Sequence, residues 1–258
     1  MKFRAHKALA RGVLLETVRR KDLWVVAILG FLIMLAAGTL GVFGMRGLEA
    51  FAKDLGVNVL GAFSTVIGVL VSSRLMPEEI KQRTLYPLLA RPITRFDLLV
   101  GKLIGAVAAT WLAFLILAAT TALGLAVFHA GLEPIMVQYL FLKMVGLAVL
   151  CAVTLSMSLV MTPSAAATLS FILAFGSGMM GRALVMASGP ATPSIKMLYQ
   201  AMYAMLPQYG LFDIGGRVDN SGWSMAPAWV CVALIAYGSL YSSGVLVLGW
   251  LKFRARAV

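Results

Sequence analysis

Residues 77–102 read PEEIKQRTLYPLLARPITRFDLLVGK and form the longest polar interruption in the first two-thirds of an apolar sequence. Basic residues outnumber acidic ones in this stretch, and a long apolar run lies on each side of it. A basic loop between two membrane spans is retained on the cytoplasmic side. The stretch therefore predicts a membrane protein in which this loop faces the cytoplasm.

The composition supports the same class of protein. Hydrophobic residues make up 61% and charged residues 12% of the 258 residues, and the mean hydropathy is +0.93. A soluble domain has about 45–50% apolar and 25% charged residues. At roughly 20 residues per span, the chain can hold about six spans and their loops. We predict an all-α, polytopic integral membrane protein with a single domain over residues 1–258.

The apolar runs predict six transmembrane helices with both termini in the cytoplasm. The spans cover approximately residues 23–44, 55–73, 103–128, 135–161, 165–186 and 227–250. Residues 74–102 form the cytoplasmic loop, and residues 187–226 form an extracytoplasmic segment. Within this segment Leu198, Met202 and Met205 share one helical face. We expect short helices here that pack against the ends of the spans.

The charges agree with this topology. The net charge of +12 could indicate nucleic-acid binding, but the basic residues cluster at the N-terminus, in the 74–102 loop and at the C-terminus. Such clusters are typical of cytoplasmic loops and tails, so we predict contact with the lipid bilayer and no nucleic acid. The basic residues outside these clusters are Arg46, Lys53, Lys143, Arg182, Lys196 and Arg217.

Residues 1–22 are predicted to form a basic amphipathic helix that lies in the membrane interface. Leu9 and Val13 are four residues apart and lie on one face of such a helix. A solvated basic tail is the alternative. At the start of the third span, Gly101, Gly105 and Ala109 form a stripe of small residues at intervals of four, which favours close helix packing.

The sequence contains little that indicates catalysis. It lacks the G-x-x-x-x-G-K-[ST] motif, so the chain is not expected to hydrolyse ATP by itself. Gly176, Gly178 and Gly181 match the dinucleotide-binding pattern only in spacing, and their place inside a span favours helix packing. The histidines, His6 and His129, fall in different compartments. We therefore predict no enzyme activity, no metal site and no cofactor on this chain.

Lys143 is the most prominent isolated charge, about a third of the way into the fourth span. A lysine at this depth costs about 2.5–3.5 kcal/mol unless it reaches the interface, pairs or meets water. One interpretation is a contact with a cavity or a substrate. The alternatives are a lysine that extends to the interface, or a span that is one turn shorter.

The 74–102 loop contains several local helix signals. Pro77 followed by Glu78 and Glu79 is a favourable helix start, since acids there offset the helix dipole. Glu79 can pair weakly with Arg83 four residues later. Thr94 and Asp97 have the spacing of a capping box at the start of the third span.

Between these signals, Thr84 can cap a short helix that presents Leu85, Leu88 and Leu89 on the cytoplasmic side, and Arg91 precedes the proline that ends it. The pattern favours a docking surface for a soluble partner. An ordinary loop with short helices is the alternative.

At these positions the sequence resembles the permease subunits of type-2 ATP-binding-cassette exporters. Their loop after the second span carries an acidic residue, a basic residue, Thr-Leu, Leu-Leu-Ala/Ser-x-Pro-x-Ser/Thr-Arg and Gly-Lys. The matching residues here are Glu79, Arg83, Thr84, Leu85, Leu88-Leu89-Ala90-Arg91-Pro92-Ile93-Thr94-Arg95 and Gly101-Lys102. Many members have an acidic residue directly after Thr-Leu, where this chain has Tyr86-Pro87. Residues 206–213, LPQYGLFD, are similar to an outer-segment motif of some members, and the N-terminal helix resembles their connecting helix.

The resemblance implies an export permease of the bacterial inner membrane, with a cytoplasmic coupling helix between spans two and three. It implies two permease protomers, identical or paralogous, and two separate ATPase subunits that carry ATP and Mg²⁺. The implied coupling interface comprises Glu79, Arg83, Thr84, Leu85, Leu88, Leu89, Arg91 and Arg95.

Two other classes of protein stay open at this point. A membrane scaffold or a subunit of a maturation complex would not transport anything itself. A secondary transporter would need paired intramembrane charges or broken helices.

Overall fold

The computed structural model describes residues 2–19, 24–25, 28–32, 48–81, 94–127, 134–188, 193–218 and 225–255, and almost all of them are helical. The helices are α1 (Lys2–Arg19), α2 (Leu48–Lys81), α3 (Arg95–Val127), α4 (Pro134–Ser158), α5 (Pro163–Ser188), α6 (Pro193–Met205), α7 (Gly215–Val218) and α8 (Ala228–Ala255). A 3₁₀ turn, Tyr209–Phe212, lies between α6 and α7. The described chain is therefore all-α, as its composition predicts.

Five of these helices, α2, α3, α4, α5 and α8, are long and apolar enough to cross a membrane. They coincide with five of the six predicted spans, and the prediction of a membrane protein is confirmed. Of the first predicted span, 23–44, only residues 24–25 and 28–32 are described. These residues are helical, and a Cβ at Gly30 would lie 3.1 Å from Leu117 of α3.

The largest apolar core lies between α2, α3 and α4. It includes Leu60 and Ile67 of α2, Phe114 of α3, and Tyr139 and Leu150 of α4, all of which are buried. α4 has the largest buried share of the five long helices, and α5 and α8 have the smallest. Large apolar side chains on α5 and α8 are accordingly exposed. The bundle is therefore centred on α4, with α5 and α8 at its edge.

One end of the bundle collects basic residues and is called the basic end below. Lys102 of α3 forms an ion pair with Glu79 at the end of α2. Arg95 donates to the carbonyl oxygens of Phe253 (3.2 Å) and Arg254 (3.4 Å) at the end of α8. A cation at a helix C-terminus offsets the partial negative charge of the last carbonyls. The described basic residues that α2, α3 and α8 contribute to this end include Lys81, Arg95, Lys102, Lys252 and Arg254.

Helix α1 packs directly on α3 at the basic end. A Cβ added at Gly101 would lie 2.8 Å from Leu9, and one at Gly105 would lie 2.7 Å from Val13. Val13 is 1% exposed. The apolar face predicted for the N-terminal helix thus meets the small-residue stripe predicted for the third span, and residues without side chains allow the close approach.

Helix α2 extends further into the polar stretch between the second and third spans than the sequence predicts. Pro77 does not start a new helix, because α2 continues through it to Lys81. A proline inside a helix costs about 3 kcal/mol, but the last turn of α2 is held by the buried Met76 and by the Glu79–Lys102 ion pair. Tertiary contacts therefore outweigh the local signal, and the predicted helix start at Pro77 was wrong.

The predicted capping box does form at the start of α3. The Thr94 hydroxyl accepts from the Asp97 backbone N–H at 3.1 Å. The Asp97 carboxylate in turn accepts from the Thr94 hydroxyl at 2.6 Å and from its backbone N–H at 3.4 Å. α3 therefore begins at Arg95, about two turns earlier than the predicted third span.

Candidate functional site

Lys143 lies inside the bundle and not at its surface. It follows Pro134, the first residue of α4, by about 14 Å along the helix axis. Its Nζ lies 2.5 Å from Oδ2 of Asp213, and the exposed fractions of the two side chains are 13% and 43%. Lys143 is therefore partly buried and paired with Asp213 within the protein.

Asp213 directly follows the 3₁₀ turn and is held by its neighbours. Its Oδ1 accepts a hydrogen bond of 3.1 Å from the backbone N–H of Gly215. A Cβ at Gly215 would lie 2.8 Å from Val57 of α2. The close contact with α2 thus requires a residue without a side chain, and it fixes the backbone that carries the carboxylate.

Helix α2 provides the opposite wall for Lys143. A Cβ at Gly61 would lie 3.3 Å from Lys143 Nζ and 3.1 Å from the Tyr139 hydroxyl. That hydroxyl donates to the carbonyl oxygen of Val57 at 3.2 Å. Because Gly61 has no side chain, the ammonium group can lie against the α2 backbone.

The 3₁₀ turn enters the bundle well away from its ends. Phe212 is 1% exposed and stacks with Tyr237 of α8 at 6.1 Å between ring centroids. A Cβ at Gly146 would lie 2.8 Å from Phe212, and Gly146 follows Pro134 by about 18 Å along α4. The prediction that residues 187–226 pack only against the span ends was therefore wrong for this turn. Backbone that is not α-helical is tolerated at such depth when protein surrounds it.

Helix α6 differs from its prediction in another way. It covers the run that contains the predicted face, but Leu198, Met202 and Met205 are all exposed. The side chain of Tyr203 instead lies against α5, 3.3 Å from the position of a Cβ at Gly181. The periodicity therefore predicts a helix correctly but not which of its faces meets the bundle.

A cavity of about 70 Å³ adjoins the ion pair and is called the ion-pair cavity below. Its polar lining includes Lys143, Asp213 and Thr65, and its apolar lining includes Leu147 and Phe212. This volume accommodates a few water molecules, and the polar groups can bind them. The cavity can therefore hold water or a small polar group next to a lysine–aspartate pair at span depth.

A larger groove of about 340 Å³ lies on the other side of the 3₁₀ turn, and Gly210 lines both spaces. This arginine groove is lined by Gly178, Gly181, Arg182, Tyr203, Gln208 and Leu211, among others. Gly181 packs against Gln208 and Tyr203, as expected for a packing glycine. A Cβ at Gly176 or Gly178, in contrast, would meet nothing within 4 Å. These two glycines therefore open a space and do not support a helix contact.

The structure places only part of the predicted coupling interface. Glu79 and Arg95 are bound within the protein, Glu79 by Lys102 and Arg95 by the end of α8. The remaining members of the interface, Arg83, Thr84, Leu85, Leu88, Leu89 and Arg91, lie outside the described residues.

The described residues offer no other chemical centre. No group of three His, Cys, Asp or Glu side chains within them could hold a metal ion. Cys151 is a buried free thiol and Cys231 is a half-buried one. The Cys151 sulfur lies 3.4 Å from the Thr110 hydroxyl.

Residues 23–258 match the model of a family described as a protein of unknown function (DUF2705). The chain belongs to this family. The matched region includes all five located spans, the Lys143–Asp213 pair and the arginine groove, whereas α1 precedes it. No curated protein matches the chain.

Proposed function

We propose that this protein is the membrane-spanning permease subunit of an ATP-binding-cassette exporter, driven by a separate ATPase that docks at the basic end. Two such chains pair with two ATPase subunits, and both termini lie in the cytoplasm of a bacterial cell. The permease itself carries out no hydrolysis. The proposal rests first on the resemblance of the loop motif between the second and third spans.

The observation that carries the proposal is the joint fixation of the two helices that flank residues 82–93. The end of α2 is tied to α3 by the Glu79–Lys102 pair, and α3 is tied to the end of α8 by Arg95. A partner that pushes on the segment between α2 and α3 therefore moves three spans together. A loop that only connected two helices would need no such fixation.

The test replaces Leu88 and Leu89 by glutamine and measures co-purification with the co-expressed partner ATPase. A leucine that is fully covered contributes about 1.5–3 kcal/mol, so the double variant should lower the affinity by roughly two to three orders of magnitude. Leu15→Gln is the matched control, since Leu15 is an exposed leucine of α1, outside the proposed interface. Normal yield with the ATPase retained would refute the proposal.

A secondary transporter is the second candidate, and the Lys143–Asp213 pair favours it. Paired charges beside backbone that is not α-helical are the features that such a transporter requires. Uptake into proteoliposomes driven by an ion gradient, with no ATPase present, would support this candidate. Transport that requires ATP and the partner subunit would exclude it.

A further inference from the structure

The arginine groove is of a size and composition that suit a ligand. Its volume of about 340 Å³ falls within the range of binding pockets for small molecules. Its apolar lining comes from Val185, Met186 and Leu211, and its polar lining from Arg182, Tyr203 and Gln208. The groove thus combines an apolar wall with a polar end, as an amphiphile requires.

The charge of the groove is positive. Among the described residues that line it, Arg182 carries the only formal charge, and no carboxylate is present. Arg182 is exposed and precedes the end of α5 by about 9 Å along the helix axis. A guanidinium at this depth is near the level of lipid head groups, where it can bind a phosphate with two parallel hydrogen bonds.

An apolar track leads from the groove toward the middle of α5. Gly178 lines the groove, and no atom lies within 4 Å of its Cβ position. The neighbouring Phe175 and Met179 are 57% and 77% exposed. An extended acyl chain could lie against the bare backbone, between the exposed apolar side chains.

We propose that the arginine groove is a binding site for an anionic phospholipid of the surrounding bilayer. The phosphate binds Arg182, and one acyl chain runs along the face of α5 that carries Gly178. The site does not depend on the transport function proposed above, because every residue in it belongs to this chain and lies away from the basic end.

The experiment is native mass spectrometry of the purified protein in detergent with added phosphatidylglycerol or phosphatidylcholine. Both lipids carry a phosphate that Arg182 can bind, but the choline ammonium group cancels the charge of phosphatidylcholine, so the net negative charge of phosphatidylglycerol should favour it by about tenfold. Arg182→Gln should abolish that preference, and Arg182→Lys should restore only part of it because an ammonium group cannot bind phosphate in the same bidentate way. Lys196→Gln is the charge control, since Lys196 is exposed on α6 and does not line the groove.

Filling the groove gives a second, independent test. Gly178→Leu places a side chain in open space and should lower phosphatidylglycerol binding by about tenfold or more. Gly176→Leu is the matched control, because its Cβ position is equally open but Gly176 does not line the groove. Retained helicity by circular dichroism shows that each variant is folded.

Three results would overturn the proposal: equal binding of the two lipids by the wild type, an unchanged preference in Arg182→Gln, or equal losses in the two leucine variants. Binding of glycerol phosphate as tight as that of phosphatidylglycerol would also overturn it, because the acyl chain would then contribute nothing. All of these lipid-binding measurements use the permease without an ATPase, so their outcome is independent of the docking experiment.

Discussion

Replacing Lys143 and replacing Asp213 one at a time should destabilise the protein by different amounts. In Asp213→Asn the lysine keeps its charge, and its side chain is only 13% exposed. An unpaired lysine at span depth costs about 2.5–3.5 kcal/mol. In Lys143→Met the remaining carboxylate is 43% exposed and keeps the Gly215 N–H, so the cost is about 1 kcal/mol or less.

These costs translate into different thermal midpoints. For a chain of this size 1 kcal/mol corresponds to about 2–4 °C, so Asp213→Asn should lower the midpoint by roughly 5–14 °C and Lys143→Met by about 4 °C at most. The double variant should resemble Lys143→Met, because replacing both charges leaves neither one unpaired.

The buried thiol of Cys151 provides the assay. It is 0% exposed, so a thiol-reactive dye reaches it only when the bundle opens on heating. Cys231→Ser removes the second thiol and retains an acceptor for the Gln138 side chain, which donates to Cys231 at 3.2 Å. Equal losses in the two single variants, or additive losses in the double variant, would contradict the assignment of an interior ion pair.

Two further predictions concern the basic end. Gly105→Ala should lower the same midpoint because the new methyl group would lie 2.7 Å from Val13, and such overpacking costs about 1–3 kcal/mol. Gly12→Ala, with nothing within 4 Å, should instead raise stability by up to about 1 kcal/mol, and equal effects would contradict the packing. Lys102→Glu should reduce the yield of folded protein, measured by fluorescence-detected size exclusion. Adding Glu79→Lys should recover at least half of that loss, and no recovery would argue against a direct pair.

The located spans could be predicted from the sequence because hydropathy acts over about 20 residues and does not depend on partners. The capping box at Thr94 could also be predicted from the sequence, since its hydrogen bonds lie within one helical turn. The end of α2 could not be predicted from the sequence, because local rules favour a helix start at Pro77. The contacts that keep the helix intact come from Lys102 and other residues distant in sequence.

The candidate site was only half predictable. Lys143 stands out as a lone charge in an apolar run, whereas Asp213 is one of four charged residues in the segment 187–226. The two are separated by 70 residues, and no periodicity connects them. A signal was nevertheless present, because a lysine that costs several kcal/mol when unpaired requires an acid somewhere in the chain. Leu9 and Gly101 are a similar case. Each belongs to a pattern that can be recognised in the sequence, but the sequence does not show that the two residues are in contact.

The packing of α1 on α3 has a consequence for the order of events during synthesis. Val13 emerges from the ribosome about 90 residues before Gly105, which corresponds to roughly 5–20 s at ordinary rates of translation. During this interval α1 has no helix to pack against, and its basic residues can hold it on anionic head groups. We therefore expect the N-terminal helix to remain at the membrane surface and to dock only after the third span is inserted. Its docking marks the point at which the first half of the bundle is complete.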